Sequence, residues 1–65
     1  MTINATKLEI AMARKKMNKA QLAETAGISR NRLYIIINQK SATPLAVGRI
    51  ADALEVDVTE IIEEE

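Results

Sequence analysis

The sequence predicts an all-α domain built from five short helices. Three observations lead there. Apolar residues recur at helical spacing almost throughout, whereas the strict alternation of a half-buried strand is never sustained. Helix start signals precede each apolar stripe: a Thr, Asn or Asp with a Glu, Gln or Pro at the right offset before four of them, and a Ser cap before the third. With 65 residues and 7.2 kDa, the chain also has room for one domain and one core.

The first helix is expected over about 6–16. Thr6 and Glu9 have the spacing of a capping box, and Leu8, Ala11 and Met12 form an inward stripe. A second helix follows over about 18–25, where Asn18 and Gln21 repeat the box and Met17 can staple onto Leu22. Gly27 supplies the left-handed position that closes it. Ser29 then caps a third helix over about 29–38, with Ile28 and Leu33 as its staple. Ile35, Ile36 and Ile37 lower helix propensity, but the run is too short for a strand and has no pairing partner. One of the three is expected to be exposed.

Thr43-Pro44 opens a fourth helix over about 43–54, because proline suits the first helical turn and threonine the cap before it. Ala46, Val47, Ile50, Ala51 and Leu54 face its core side. Asp57 and Glu60 predict a fifth helix over about 57–63, with Val56 and Ile61 as a staple. Its Glu63-Glu64-Glu65 end is expected to fray, since adjacent carboxylates repel and a helix C-terminus disfavours them.

Composition removes several function classes. There is no Cys and no His, so the usual zinc ligands, thiol nucleophiles and imidazole bases are missing. A core this small leaves little for a deep substrate cavity, and no nucleophile–base pair is recognisable; the expectation is a non-enzyme with no cofactor, metal or small-molecule substrate. No apolar run approaches the ~20 residues that span a bilayer, and the first residues lack a secretory pattern, which predicts a cytoplasmic protein with no membrane partner.

Nine basic and nine acidic residues cancel overall but are segregated along the chain. Residues 1–40 carry eight basic against two acidic side chains, a balance of +6, and residues 41–65 carry one against seven, a balance of −6. If folding keeps these halves on different faces, one face attracts polyanions.

Asn18 to Asn38 reads as two short helices joined by a Gly-centred turn, the arrangement that lets a second helix enter a DNA major groove. The run Gln21-Leu22-Ala23-Glu24-Thr25-Ala26-Gly27-Ile28-Ser29-Arg30 closely resembles the heart of the phage Cro and phage-repressor type (XRE) helix-turn-helix family. Asn38-Gln39-Lys40 is similar to the family's loop after the recognition helix, and Ile50 to Val56 to its fourth helix and exit. The resemblance covers about residues 7 to 62 and implies a lambda-repressor-like domain that binds double-stranded DNA. Ala23 would let the two helices approach closely.

Two positions depart from the family pattern. Gln39 and Glu55 stand where glycine is frequent after a helix, so either the backbone turns differently or each carries ~1 kcal/mol of left-handed strain. Met12 and Ile37 replace a basic and an acidic partner, and an apolar contact there can be neutral or better.

Mapped onto this chain, the family's base-reading positions fall on Arg30 and Asn31. Arg suits guanine O6 and N7, and Asn suits adenine N6 and N7. Arg32 could read a base or hold phosphate, Ile35 could touch a thymine methyl or pack inward, and Lys19 could reach a base. Phosphate contacts are expected from Asn18, Ser29, Tyr34, Lys40 and Ser41, aided by the N–H groups that open helix two. Arg14, Lys15 and Lys16 could add long-range attraction or be merely solvated.

One recognition helix covers few base pairs, so a homodimer on a palindromic operator is expected, with Val58, Ile61 and Ile62 offered as a contact, though two of these should pack on helix four. The resulting expectation is a sequence-specific transcriptional regulator, a repressor of phage, prophage or mobile-element type acting by operator occupancy. The alternatives are the antitoxin of a toxin–antitoxin pair, or a helical protein-interaction module that ignores DNA.

Overall fold

The computed structural model describes residues 1–63, and within them the chain forms four α-helices and one 3-10 turn. The helices are α1 (Ala5–Lys15), α2 (Lys19–Ala26), α3 (Arg30–Gln39) and α4 (Pro44–Leu54), followed by the turn Val58–Glu60. The all-α class therefore holds, with one helix fewer than expected. No helix among the described residues is long and apolar enough to cross a membrane.

Local chemistry sets most of the boundaries. Asn18 accepts from the Gln21 N–H at 2.8 Å while the Gln21 side chain accepts from the Asn18 N–H at 2.9 Å, a complete capping box. Ser29 Oγ accepts from the Arg32 N–H and Thr43 Oγ1 from the Ala46 N–H, with Pro44 at the first turn of α4. The start of α1 differs from expectation: Asn4, not Thr6, is the cap, its side chain accepting from the Lys7 N–H at 2.9 Å. The helix begins as soon as the chain leaves the extended pairing of Thr2 and Ile3, and Asn4 is the residue standing at that exit.

α2 packs against both α3 and α4, and α1 against α4 and the 3-10 turn, around Leu8, Leu22, Leu33, Val47, Ile50 and Leu54. Met17, Ile28 and Val56 pack against this core as the staples require. Of the isoleucine run, Ile36 is 4% exposed, Ile37 half-buried and Ile35 52% exposed, so tertiary packing keeps the segment helical with one side chain outward. Met12 is buried and Ile37 packs against the core; no charged or polar side chain among the described residues is buried.

The fifth helix is corrected to a single 3-10 turn. Asp57 and Glu60 do form their capping box, but the helix stops because its next backbone groups bond elsewhere. Asn4 N–H donates to Ile61 O and Glu63 N–H to Thr2 O, both at 2.9 Å, and Ile3 pairs with Ile62 as an antiparallel bridge. On its other side the same segment pairs Thr2 with Ser41, with Ile3 N–H donating to Lys40 O at 2.9 Å and Ala42 N–H to Met1 O. The first four residues thus form an extended clamp between the loop after α3 and the end of the chain. The expected fraying at Glu64 and Glu65 lies outside the described residues.

Ile61 is completely buried, and Val58 and Ile62 lie half-buried on the core. Ile61 is thereby removed from the offered dimer contact, while Val58 and Ile62 pack on the core and keep part of their surface in solvent. Left-handed backbone occurs at Gly27 (φ 74°), where no Cβ is strained, and at three non-glycine C-caps, Lys16, Lys40 and Glu55 (φ 54°, 54° and 56°). The position after α3 is therefore Lys40 rather than Gln39, because α3 runs one residue further than expected.

Candidate nucleic-acid interface

Gly27 turns the chain between α2 and α3, with Ile28 N–H donating back to Ala23 O at 3.0 Å. Ala23 is buried in the angle between the helices, where a larger side chain would force them apart. Extended backbone at Ser29 (φ −69°, ψ 152°) then launches α3, so its first turn projects from the body of the protein.

Every one of the ten residues singled out from sequence is exposed: Asn18, Lys19, Ser29, Arg30, Asn31, Arg32, Tyr34, Ile35, Lys40 and Ser41. At about 100° per residue, the buried Leu33 and Ile36 leave roughly 200° of α3 facing solvent. Asn31 lies at the middle of that arc. Arg30 and Arg32 stand on its opposite edges, about 160° apart, so the two guanidinium groups serve different flanks.

Two depressions border this ridge. On one side an open groove of about 740 Å³ is lined by Ser29, Asn31, Arg32, Ile35 and Gln39 of the α3 segment and by Ser41 to Pro44 opposite. On the other side a smaller cleft of about 280 Å³ is lined by Lys19, Tyr34, Ile37 and Asn38. The Lys19 ammonium sits 5.8 Å from the centre of the Tyr34 ring, a cation–π contact that orients both side chains across the α2–α3 junction. Ser29 has a second task, since its hydroxyl is already the cap of α3.

Asn38 and Gln39 were not among the residues singled out from sequence, which ended the third helix at about Asn38 and likened Asn38-Gln39-Lys40 to the loop after it. They belong to its last turn, on the outward arc, and line the two depressions on either side. The periodicity of Leu33, Ile36 and Ile37 carried the signal, because continuing the helix by one residue, through Gln39, turns both amides outward.

The electrostatics sharpen the contrast between faces. Lys19, Arg30, Arg32 and Lys40 around α3 have no carboxylate partner among the described residues. Arg14 and Lys15, by contrast, are folded onto the acidic end of the molecule: Lys15 Nζ is 2.7 Å from Glu55 Oε2 and Arg14 Nη1 3.5 Å from Glu60 Oε1. Their charge is locally matched and so adds little to attraction at α3. The Lys15 ammonium holds the Glu55 carboxyl below its ordinary 4.5, and the Thr59 hydroxyl and N–H hold Asp57 below its ordinary 3.8.

An outward helix with its first turn capped, free cations on both flanks, and amides along its crest can present hydrogen-bond donors and acceptors to base edges while the cations meet phosphates. Comparison with known proteins agrees. Residues 7–65 match the family model of the Cro/C1-type HTH DNA-binding domain. No curated protein matches the chain. Among solved structures, native PhpD with cadmium atoms is 28% identical with a TM-score of 0.81, and a mutant of hydroxyethylphosphonate dioxygenase is 28% identical with a TM-score of 0.82. Each similarity covers 98% of this chain but 14% of the other, so the chain spans about one-seventh of those proteins. By its family match over residues 7–65 and the helix-turn-helix geometry that accompanies it, the chain belongs to the Cro/C1-type helix-turn-helix DNA-binding domain family.

Proposed function

We propose that this chain is a sequence-specific transcriptional regulator, a cytoplasmic repressor of the phage, prophage or mobile-element type that acts by occupying a palindromic operator as a homodimer. The observation that carries the reading is the α3 ridge, with Asn31 at its crest and unpaired Arg30, Arg32, Lys19 and Lys40 around it. In this reading Asn31 and Arg30 contact base edges, with Arg32, Ile35 and Lys19 as flanking readers. Asn18, Ser29, Tyr34, Lys40 and Ser41 hold the backbone on either side. Repression by occupancy fits a domain of 65 residues with no Cys or His, to which the proposal assigns binding and no catalytic step.

Fluorescence anisotropy against random duplex at several salt concentrations tests the first step. About six phosphate contacts give a log–log slope near ~−5. Selection from a random duplex library then returns the operator, and two inverted half-sites about 10 base pairs apart are expected for the dimer. Absence of salt-dependent binding would refute the reading. The similarity to a small part of PhpD favours a second one, a helical packing module within a larger assembly, and that module shows no duplex affinity in the same titration.

A further inference from the structure

The stretch between α3 and α4 carries Lys40 and Ser41, both assigned to phosphate, yet it has little of its own to hold it in place. Lys40, Ser41 and Thr43 are exposed, and Ala42 is half-buried on the core. Toward α3, the Lys40 and Ser41 N–H groups share one acceptor, Ile36 O, and the Ser41 bond is long at 3.3 Å. Lys40 also sits at φ 54°, a left-handed backbone that an L-residue disfavours. The support comes from the other end of the sequence. Ile3 N–H donates to Lys40 O at 2.9 Å and Ala42 N–H to Met1 O at 3.0 Å, so Thr2 stands opposite Ser41 as a non-hydrogen-bonded antiparallel pair. Ile3 itself is immobilised, with its side chain 1% exposed and the far edge of its segment tied by Asn4 N–H to Ile61 O and by Glu63 N–H to Thr2 O. Met1 lines the groove beside Asn31, Arg32 and Ile35, so this support stands at the foot of the α3 ridge.

We propose that Ile3 is a positioning residue for DNA binding: its main chain fixes the backbone of Lys40 and Ser41 so that the ammonium and the hydroxyl meet phosphate while α3 lies in the major groove. The inference rests on the operator-binding reading. A loop that must be ordered on binding subtracts its ordering cost from the affinity, whereas one already held in place does not. Ile3 supplies that hold from a fixed point in the core, through a bond to the very carbonyl that follows the left-handed turn. A role in stability alone would leave a different signature on DNA. Loss of stability lowers the folded fraction and weakens binding by one factor at every salt concentration. Displacement of Lys40 removes a cation from the phosphate contacts and so lowers the salt slope itself.

Chemical synthesis of the 65-residue chain allows one backbone amide to be replaced by an ester with every side chain kept. An ester at Ile3 removes the N–H given to Lys40 O, and an ester at Asn4 removes the N–H given to Ile61 O, a bond of the same 2.9 Å on the opposite edge of the same segment. Both should lower Tm. Only the Ile3 ester should weaken random duplex several-fold and lower the magnitude of the salt slope by about 0.9, with the selected operator weakened by the same factor. With Lys40→Ala already in place, the Ile3 ester should leave the slope where that substitution put it. Because the chain has no cysteine, Thr2→Cys with Ser41→Cys gives a single disulfide across the non-hydrogen-bonded pair, whose Cα separation of about 4.5 Å suits one. Oxidised, this pair should return the Ile3 ester to the slope of the all-amide cysteine pair, and it keeps the strap on the loop should the ester alone fail to fold; reduced, it should not. An Ile3 ester with the native slope, an Asn4 ester that loses as much, or a disulfide without rescue would each overturn the proposal while leaving the operator reading intact. A native chain with no salt-dependent duplex affinity would overturn the operator reading, and this inference with it.

Discussion

Lys40→Gly separates what Lys40 does for the fold from what it does for DNA. Its backbone sits at φ 54°, a left-handed position that costs an L-residue on the order of 1 kcal/mol and costs glycine almost nothing. The native contacts at this residue are made by its main chain: the N–H donates to Ile36 O, and the carbonyl accepts from Ile3 N–H at 2.9 Å. Both survive in glycine. The ammonium has no partner among the described residues, so its removal leaves no buried charge or broken bond. Allowing for the larger unfolded-state entropy of glycine, the variant should be more stable by roughly 0.5–1 kcal/mol, raising Tm by about 2–8 °C for a domain of this size. Duplex affinity should move the other way. One lost phosphate contact lowers the magnitude of the salt slope by about 0.9, and cognate and random sequences should weaken alike. Lys16→Gly is the matched control, with the same φ and an exposed side chain, and it should raise Tm without altering DNA binding. Thermal melting by circular dichroism and anisotropy at three salt concentrations measure both quantities. If Lys40→Gly lowers Tm, or leaves the salt slope untouched, the account of this position is wrong.

Arg30→Ala should weaken the selected operator far more than random duplex, and equal losses on both would reassign Arg30 to phosphate. Asn31→Ala, at the crest of α3, should cost about 1–3 kcal/mol on the operator and relax selectivity at one base pair, as read by repeating the library selection. Gly48→Ala should raise Tm in dilute solution, since it removes a helix-interior glycine worth about 1 kcal/mol and its new Cβ meets nothing within 4 Å. Glu55 and Asp57 titrate below their ordinary values in the folded state, so each adds stability above that ordinary value which disappears as pH falls through the lowered one. Tm should therefore drop on acidification from about pH 5 to pH 3, and Glu55→Gln or Asp57→Asn should each flatten that drop.

Much of the fold was legible because its signals are local. Asn18 with Gln21, Ser29 before α3 and Thr43-Pro44 before α4 act across three or four residues, a distance over which sequence order and spatial order coincide. The same holds for Gly27 and for the outward Ile35. Arg30, Asn31, Arg32, Tyr34 and Ile35 were found exposed because helical spacing already separates them from Leu33 and Ile36. What spacing could not give was the division of α3 into two flanks, since that depends on which neighbour stands beside each edge: Lys19 and Tyr34 on one side, Ser41 to Pro44 on the other.

Caps, turns and amphipathic stripes are written in neighbouring residues, so the all-α class, the Gly-centred helix pair and the outward placement of the α3 side chains follow from residue order. Tertiary structure alone decided where α1 begins, that the last helix stops at one 3-10 turn, and that Ile61 is sealed in the core rather than offered to a partner. It also decided that Arg14 and Lys15 spend their charge on Glu60 and Glu55. The physical reason is common to all of these. Backbone donors and charged side chains bond the partner that folding brings nearest, and for Asn4, Glu63, Arg14 and Lys15 that partner lies at the far end of the chain.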